Sequence, residues 1–594
     1  MSDVQRLKQV SNLHQSNGYK SAASNGFTNG FRNGTTPSRA SELKTLLNAT
    51  LEQLIPFIQR ADDEAQVHQL HQAIGTTSLV ESHPPAELRS ILSQAGTLTL
   101  PNNGTGQTGL LDSLASILKY SVNTSAPGFL DKLYAAPLPP GIAADLVLSV
   151  LNTNLHVYQV SPVLSLIETH VTKALASMFG FTGPTAGGIN VQGGSASNLT
   201  SIVIARNSLF PRTKTLGNGA DGLRLVLFTS EHGHYSIEKA AQQCGFGSEN
   251  VISVPVDPVT GTMDPDMLES LIVREKQVNG TTPFYVNATA GSTVLGSFDP
   301  FAAISRVARK HGLWMHIDGA WGGSFVFSET LRQKSLQGCD LADSIAINPH
   351  KMLGVPVTCS FLLLKDLRNA HRSNTLRAGY LFHDTEEDDP KKDDDGDYAD
   401  GARAEAGEEE KKEAEDEDGW TPPEDLADLT LQCGRRGDSL KLFLAWQYYG
   451  TLGYRTKIET AYSVACHMVQ LVEEHPDLVL VSTNPPPCLQ VCFYFAPGGK
   501  MTFGLEDQTQ SNGDGSIKAV EVGKRNTAIT SRITHRLISR GFMVDFAPAL
   551  SNAVEKGSFF RGVVNISTTR GTVERLVEEL VRVGNAVTEE RRRK

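Results

Sequence analysis

The sequence predicts an α/β protein built around a mostly parallel sheet. Between about residues 150 and 370, apolar runs of strand length alternate with stretches of helical spacing, the pattern of repeated strand–helix–strand units. Several of those runs end in a polar or small-residue turn, and strand ends are where such folds place their chemistry. The 594 residues, 40% of them hydrophobic, can bury more than one core, so two or three domains are expected.

Residues 1–40, rich in Asn, Ser and Gly, are expected to form a disordered tail. From 41 to about 150, helical spacing such as Leu43, Leu47, Leu51 and Leu54 predicts an N-terminal helical segment suited to packing on a partner subunit. The α/β region follows over 151–383. Its first landmark is Gly187 to Gln192, a strand, running into Gly193-Gly194-Ser195-Ala196-Ser197-Asn198 and then a helix. Backbone N–H groups of such a turn, at a helix N-terminus, suit a phosphate. Gly194, Ser195 and Ser197 are its candidate contacts. No Gly-Lys-Ser/Thr follows, so this is not a nucleoside-triphosphate loop. Taken alone, it reads equally as a plain turn.

The second landmark is an apolar strand from Val226 that enters a turn holding His232 and His234. The third is Leu313-Trp314-Met315-His316-Ile317-Asp318-Gly319-Ala320, an apolar run that ends in an aspartate. The fourth is Asn348-Pro349-His350-Lys351 after the β-type run Ser344 to Ile347. A lysine becomes a useful nucleophile when desolvation and charge lower its pKa. An aspartate at a strand end is a partner for the ring nitrogen of pyridoxal 5'-phosphate (PLP), keeping the ring electron-poor. Singly, these residues read as a surface lysine, a turn aspartate and a structural histidine. In the order glycine turn, histidine, aspartate, lysine they point to PLP, with Lys351, Asp318 and His234 as catalytic candidates. His234 and Ala320 are placed to cover the two faces of the ring, and Asn348 and His350 join Lys351 as cofactor contacts.

These elements, together with Pro283 to Val294 (PFYVNATAGSTV), resemble the PLP-dependent group II amino acid decarboxylases, in the branch of glutamate, aspartate and cysteine sulfinate decarboxylases. The likeness runs from about Ala126 to Glu579 and is most specific over Val226–Leu364. It implies the type I PLP-dependent fold, with a large parallel-sheet domain flanked by helices and a small C-terminal α+β domain, here 421–594. It also implies a homodimer with active sites at the subunit interface. Lys132, in Pro127 to Leu133, stands where the glutamate enzymes have glutamine, and His156 replaces an aromatic residue in the segment that includes Asn154. Arg561 matches the family's arginine that grips a substrate carboxylate, a planar bidentate task suited to Arg. A pocket made more cationic by Lys132, and by His156 if it is charged, implies an acidic substrate, and the longer cationic arm a short one. L-Aspartate to β-alanine is the first expectation, with L-glutamate to 4-aminobutanoate and cysteine sulfinate to hypotaurine as rivals.

Residues 384–419 carry 19 acidic and 5 basic residues, so this segment is expected to be a disordered insertion and the remainder of the chain sums to about +3 rather than −11. No basic patch points to nucleic acid. In the resembled family this region is the mobile catalytic loop and carries a tyrosine that protonates the product carbon. Counting back from Gln432 places Trp420 or Glu424 there, and the insertion's own tyrosine is Tyr398, so the proton donor is unassigned. A PLP-dependent aldehyde synthase therefore stays open, as does a non-catalytic PLP-binding regulatory partner. The seven cysteines have no metal-type spacing, no metal is expected, and no run reaches the roughly 20 apolar residues of a membrane span. A cytoplasmic protein is expected.

Overall fold

Twelve strands were traced in a computed structural model that describes residues 38–72, 76–376, 420–501, 515–550 and 553–593. The expected tail and the insertion at 384–419, with Tyr398, lie outside them, apart from residues 38–40. In chain order the strands are β1 (Phe129–Leu130), β2 (Gly187–Val191), β3 (Leu225–Ser230), β4 (Val251–Val254), β5 (Thr282–Thr289), β6 (Trp314–Gly319), β7 (Ser344–Ile347), β8 (Ser360–Leu364), β9 (Leu478–Leu480), β10 (Gln490–Phe495), β11 (Met543–Ala547) and β12 (Phe559–Val563).

Seven of them form one sheet in the order β2-β8-β7-β6-β5-β3-β4. The β4–β3–β5–β6–β7 pairings are parallel, and β8 runs antiparallel to both of its neighbours. Every residue of β2, β6, β7 and β8 is buried, as expected of a sheet covered on both faces. The crossover helices are fixed locally by their own sequence. Pro265–Gln277 begins with Pro at its first position behind Asp264, whose carboxylate accepts from the N–H groups of Asp266 and Met267. Phe301–His311 stops at Gly312, which takes the left-handed conformation (φ 71°) that glycine adopts without strain.

The second sheet has the order β1-β11-β12-β10-β9 and lies with the long helix Ser439–Glu474, which breaks at Gly450 (φ 67°). Its strand β1 comes from the segment expected to be wholly helical and pairs in parallel with β11, more than 400 residues on. Cross-strand register sets Asp545 opposite Arg561. The chain divides into two bodies. The smaller, of which residues 38–56 and 86–117 are described, is helical, and in it Gln53 Nε2 donates to Leu111 O (3.2 Å). The larger contains both sheets and the site below. Among the described residues no helix is long and apolar enough to cross a membrane.

Candidate active site

Five strands of the first sheet point their C-terminal ends, and the turns that follow, at one cavity of about 290 Å³. Its walls include Gly194 and Ser195 after β2, His234 after β3, Thr289 and Gly291 at the end of β5, Asp318 and Ala320 at the end of β6, and Asn348, His350 and Lys351 after β7. Register explains the convergence: Thr289 lies opposite Asp318 on β5–β6, and Asp318 opposite Ala346 on β6–β7. Leu133, Tyr235, Thr293 and Trp321 complete the wall.

Asp318 is buried. Its Oδ1 accepts from Ala320 N–H (3.1 Å) and its Oδ2 from Asn198 Nδ2 (2.9 Å). Burial alone would raise its pKa, but the Lys351 ammonium and the Asn198 hydrogen bond outweigh that and hold the carboxyl below the ordinary range. Burial lowers the pKa of Lys351, and the nearby Asp318 charge only partly offsets it. A lysine in this state loses its proton more readily and gains nucleophilicity. His234 is likewise lowered, chiefly by burial, with the Asp318 charge opposing and Lys351 and Lys239 adding to the shift. His350 is lowered to about 4 by burial, and its Nδ1 lies 2.8 Å from Cys359 O.

The helix Gly194–Leu209 opens on Gly193, in a positive-φ conformation (94°). A Cβ on Gly194 would stand 2.9 Å from the Asn348 side-chain amide and 3.2 Å from Ala320 Cβ, so glycine leaves the helix N-terminus open to the cavity. Asn348 is oriented with its nitrogen toward Ser360 Oγ (3.1 Å) and its oxygen toward Gly194 N (3.3 Å). Ser197, also expected to touch phosphate, is fully buried outside the cavity wall, and its Oγ has no partner. The cavity suits PLP: a buried carboxylate for the ring nitrogen, a lysine of lowered pKa for the carbonyl carbon, and helix N-terminal amides for the phosphate.

Four residues expected to hold substrate lie elsewhere. Arg561 is buried behind the cavity wall, where Nη1 donates to Thr293 O (2.7 Å) and Nη2 donates to Asp131 O (3.1 Å) and Asp545 Oδ2 (2.7 Å). Lys132 Nζ pairs with the same Asp545 oxygen (3.0 Å) and with Asp131 (3.3 Å), and it does not line the cavity. The expectation of a more cationic pocket is thereby corrected, because two carboxylates accompany the two cations. Asn154 and His156 also stand apart from Lys351. Asn154 Oδ1 accepts from Arg435 N–H (2.8 Å) and borders a separate groove, while His156 Nδ1 lies 3.2 Å from Asn154 O. Glu424 is exposed, and Trp420 packs with His371 (ring centroids 6.3 Å).

Sequence reasoning passed over Asn198, His316, Ser236 and Asp545. The first two had a signal: Asn198 follows Gly194 by four residues on one helix face, and His316 precedes Asp318 by two on one strand face. Asp545 had none.

A family model described as the pyridoxal-dependent decarboxylase conserved domain matches residues 91–394 and 419–496, more than half of the chain. The chain belongs to the pyridoxal-dependent decarboxylase family. It is 45% identical over 93% of its length to L-aspartate decarboxylase dtxS4 of Metarhizium robertsii, covering 98% of that protein. It is 40% identical over 82% of its length to a glutamate decarboxylase-like protein of Gibberella zeae, covering 90% of that one. Among solved structures it is similar to mouse CSAD, with a TM-score of 0.72, 30% identity, and coverage of 91% of this chain and 99% of the other. The fold is the type I fold of PLP-dependent decarboxylases, and the protein is a PLP-dependent carboxy-lyase acting on an amino acid.

Proposed function

We propose that this decarboxylase removes the α-carboxylate of L-aspartate to give β-alanine and CO₂. The observation that carries the proposal is the placing of Lys351 and Asp318 in one cavity with Arg561 directly behind its Thr293 wall. The relative that covers nearly its whole length and bears the name L-aspartate decarboxylase supports the choice of acid. L-Glutamate is the second reading, favoured by the relative named glutamate decarboxylase-like.

PLP, when bound, supplies the electron sink for the pair left behind as CO₂ departs. The chain's own residues do the rest. Lys351 Nζ would hold the cofactor by its carbonyl carbon, Asp318 would keep a proton on the ring nitrogen through its negative charge, and His234 and Ala320 would flank the ring. Arg561 would anchor the distal carboxylate by exchanging its present partners, Thr293 O and Asp545, for it.

The protein acts as a homodimer in this reading, and Asn154 and His156, remote from Lys351 in their own chain, serve the site of the second copy. Exposed apolar side chains on the helix Pro139–Leu151 and beyond it, among them Leu146, Val147, Val150, Val163 and Leu166, are what such an interface would cover. A cytoplasmic location fits seven free cysteines. The test of substrate is product analysis: β-alanine from L-aspartate is expected, and 4-aminobutanoate from L-glutamate at a higher kcat/KM would transfer the assignment to glutamate. Light scattering should give twice the chain mass, and a monomer retaining full activity would refute the shared site.

A further inference from the structure

Behind Asp318 runs a chain of buried hydrogen bonds that the reaction as described does not use. Trp314, His316 and Asp318 alternate along β6 and share one face, which meets the helix Gly194–Leu209. Trp314 Nε1 lies 2.9 Å from Ser344 Oγ, Ser344 Oγ 2.8 Å from His316 Nδ1, and His316 Nε2 3.0 Å from Asn198 Oδ1. Asn198 Nδ2 in turn donates to Asp318 Oδ2 (2.9 Å) and Ser236 Oγ (2.8 Å), and Ser236 Oγ lies 2.8 Å from His234 Nδ1. Asn198, His316 and Ser344 are fully buried, so no water competes for these contacts.

Donor and acceptor chemistry gives the chain a single direction. An indole nitrogen can only donate, so Ser344 Oγ accepts from Trp314; the Asp318 carboxylate can only accept, so Asn198 turns its nitrogen to Asp318 and its oxygen to His316 Nε2, which leaves His316 Nδ1 to accept from Ser344 Oγ. Burial keeps His316 neutral, with its pKa lowered to about 4, so its one ring proton sits on Nε2 and Asn198 Oδ1 must accept it. The Asn198 amide is thereby fixed with its nitrogen toward Asp318 and Ser236. Ser236, having accepted from Asn198, gives its proton to His234 Nδ1, which also receives the Ser236 backbone N–H (3.2 Å), and His234 is left with its proton on Nε2.

We propose that Asn198 and His316 are positioning residues: together they set the one amide orientation that holds the Asp318 carboxylate and the His234 ring in a common arrangement toward the cofactor. Neither touches the cavity. They act through Asp318, whose charge they sustain, and through Ser236, whose hydroxyl they turn toward His234 Nδ1. The inference rests on the reading of this cavity as the PLP site.

Four variants test it: Asn198→Ala, the isosteric Asn198→Asp, His316→Gln and His316→Leu. For each, the equilibrium constant for PLP is measured by titrating apoenzyme, the visible spectrum of the bound cofactor is followed with pH, and kcat and KM are determined for L-aspartate. Far-UV circular dichroism and thermal midpoints report folding. Both Asn198 variants should weaken PLP binding at least tenfold, lower kcat with KM within about twofold, and move the acid limb of the spectral titration to higher pH, because Asp318 loses a donor. Asn198→Asp should be the worse of the two, since it sets a second carboxylate against Asp318. His316→Gln, whose Nε2 reaches as far as the imidazole Nε2 and still donates, should keep PLP affinity within about threefold, whereas His316→Leu should resemble Asn198→Ala. A folded Asn198→Asp with unshifted PLP affinity and pH limb overturns the proposal, as does a His316→Gln no better than His316→Leu. A wild-type protein that takes up no PLP overturns the reading of the site itself, and the proposal with it.

Discussion

Lys351 and Asp318 line the same cavity, and each changes the proton affinity of the other: Asp318 raises that of Lys351, and Lys351 lowers that of Asp318. Replacing Lys351 by Ala should abolish turnover and the visible absorbance of attached cofactor while the far-UV circular dichroism stays unchanged; retained turnover would sink the assignment. Behind the Thr293 wall stands a residue the sequence did not advertise. Asp545 occupies both Arg561 and Lys132, so it competes with any incoming carboxylate. Asp545→Asn should lower KM for L-aspartate about fivefold, the equivalent of roughly 1 kcal/mol for a partly exposed ion pair, with kcat within about twofold. That gain should shrink at high salt, and an unchanged KM in steady-state assays would remove Asp545 from substrate recognition.

The N-terminus of the helix Gly194–Leu209 is the element that most directly shapes the phosphate end of the cavity. Gly194→Ala, which drives a Cβ to 2.9 Å from the Asn348 amide, should weaken PLP binding about tenfold, or roughly 1.4 kcal/mol, in a titration of apoenzyme. This element was legible in the sequence because its signals are local: a strand, two glycines and a helix in succession. The same holds for Asp318 and Lys351, each placed by the apolar run before it, and for the parallel sheet that joins those runs. What escaped were contacts made by register between distant segments. Lys132 meets Asp545 across 413 positions, and β1 joins β11 over a similar span. Lys132, read from its place in the resembled family, therefore implied a cationic pocket, whereas its pairing in space with Asp545 and Asp131 balances the charge. Asn154 and His156 lie away from Lys351 for a related reason, since one chain does not fold them onto their own cavity.

Across the whole molecule, the buried histidines make stability depend on acid. His316 and His350 are each lowered to about 4 by burial, against about 6.5 in the unfolded chain. Between those values only the unfolded chain takes up the protons, so stability is fully present above pH 6.5 and falls as pH drops toward 4, by about 3 kcal/mol for each histidine. Asp299, raised to about 6 by burial, works in the opposite sense over much of the same window. Urea unfolding of the wild type should therefore show a lower midpoint at pH 5 than at pH 7, and His316→Gln should reduce the difference between the two. An unchanged difference would mean that His316 is charged in the folded protein.

The central claim is that the cavity around Lys351 and Asp318 decarboxylates an acidic amino acid, L-aspartate first. PLP-loaded wild-type protein incubated separately with L-aspartate, L-glutamate and cysteine sulfinate, with CO₂, amine and peroxide quantified, tests it most directly. The account predicts CO₂ and β-alanine in equal amounts from L-aspartate, at the highest kcat/KM of the three and without peroxide. CO₂ accompanied by stoichiometric peroxide, or no CO₂ from any of the three acids, would contradict it.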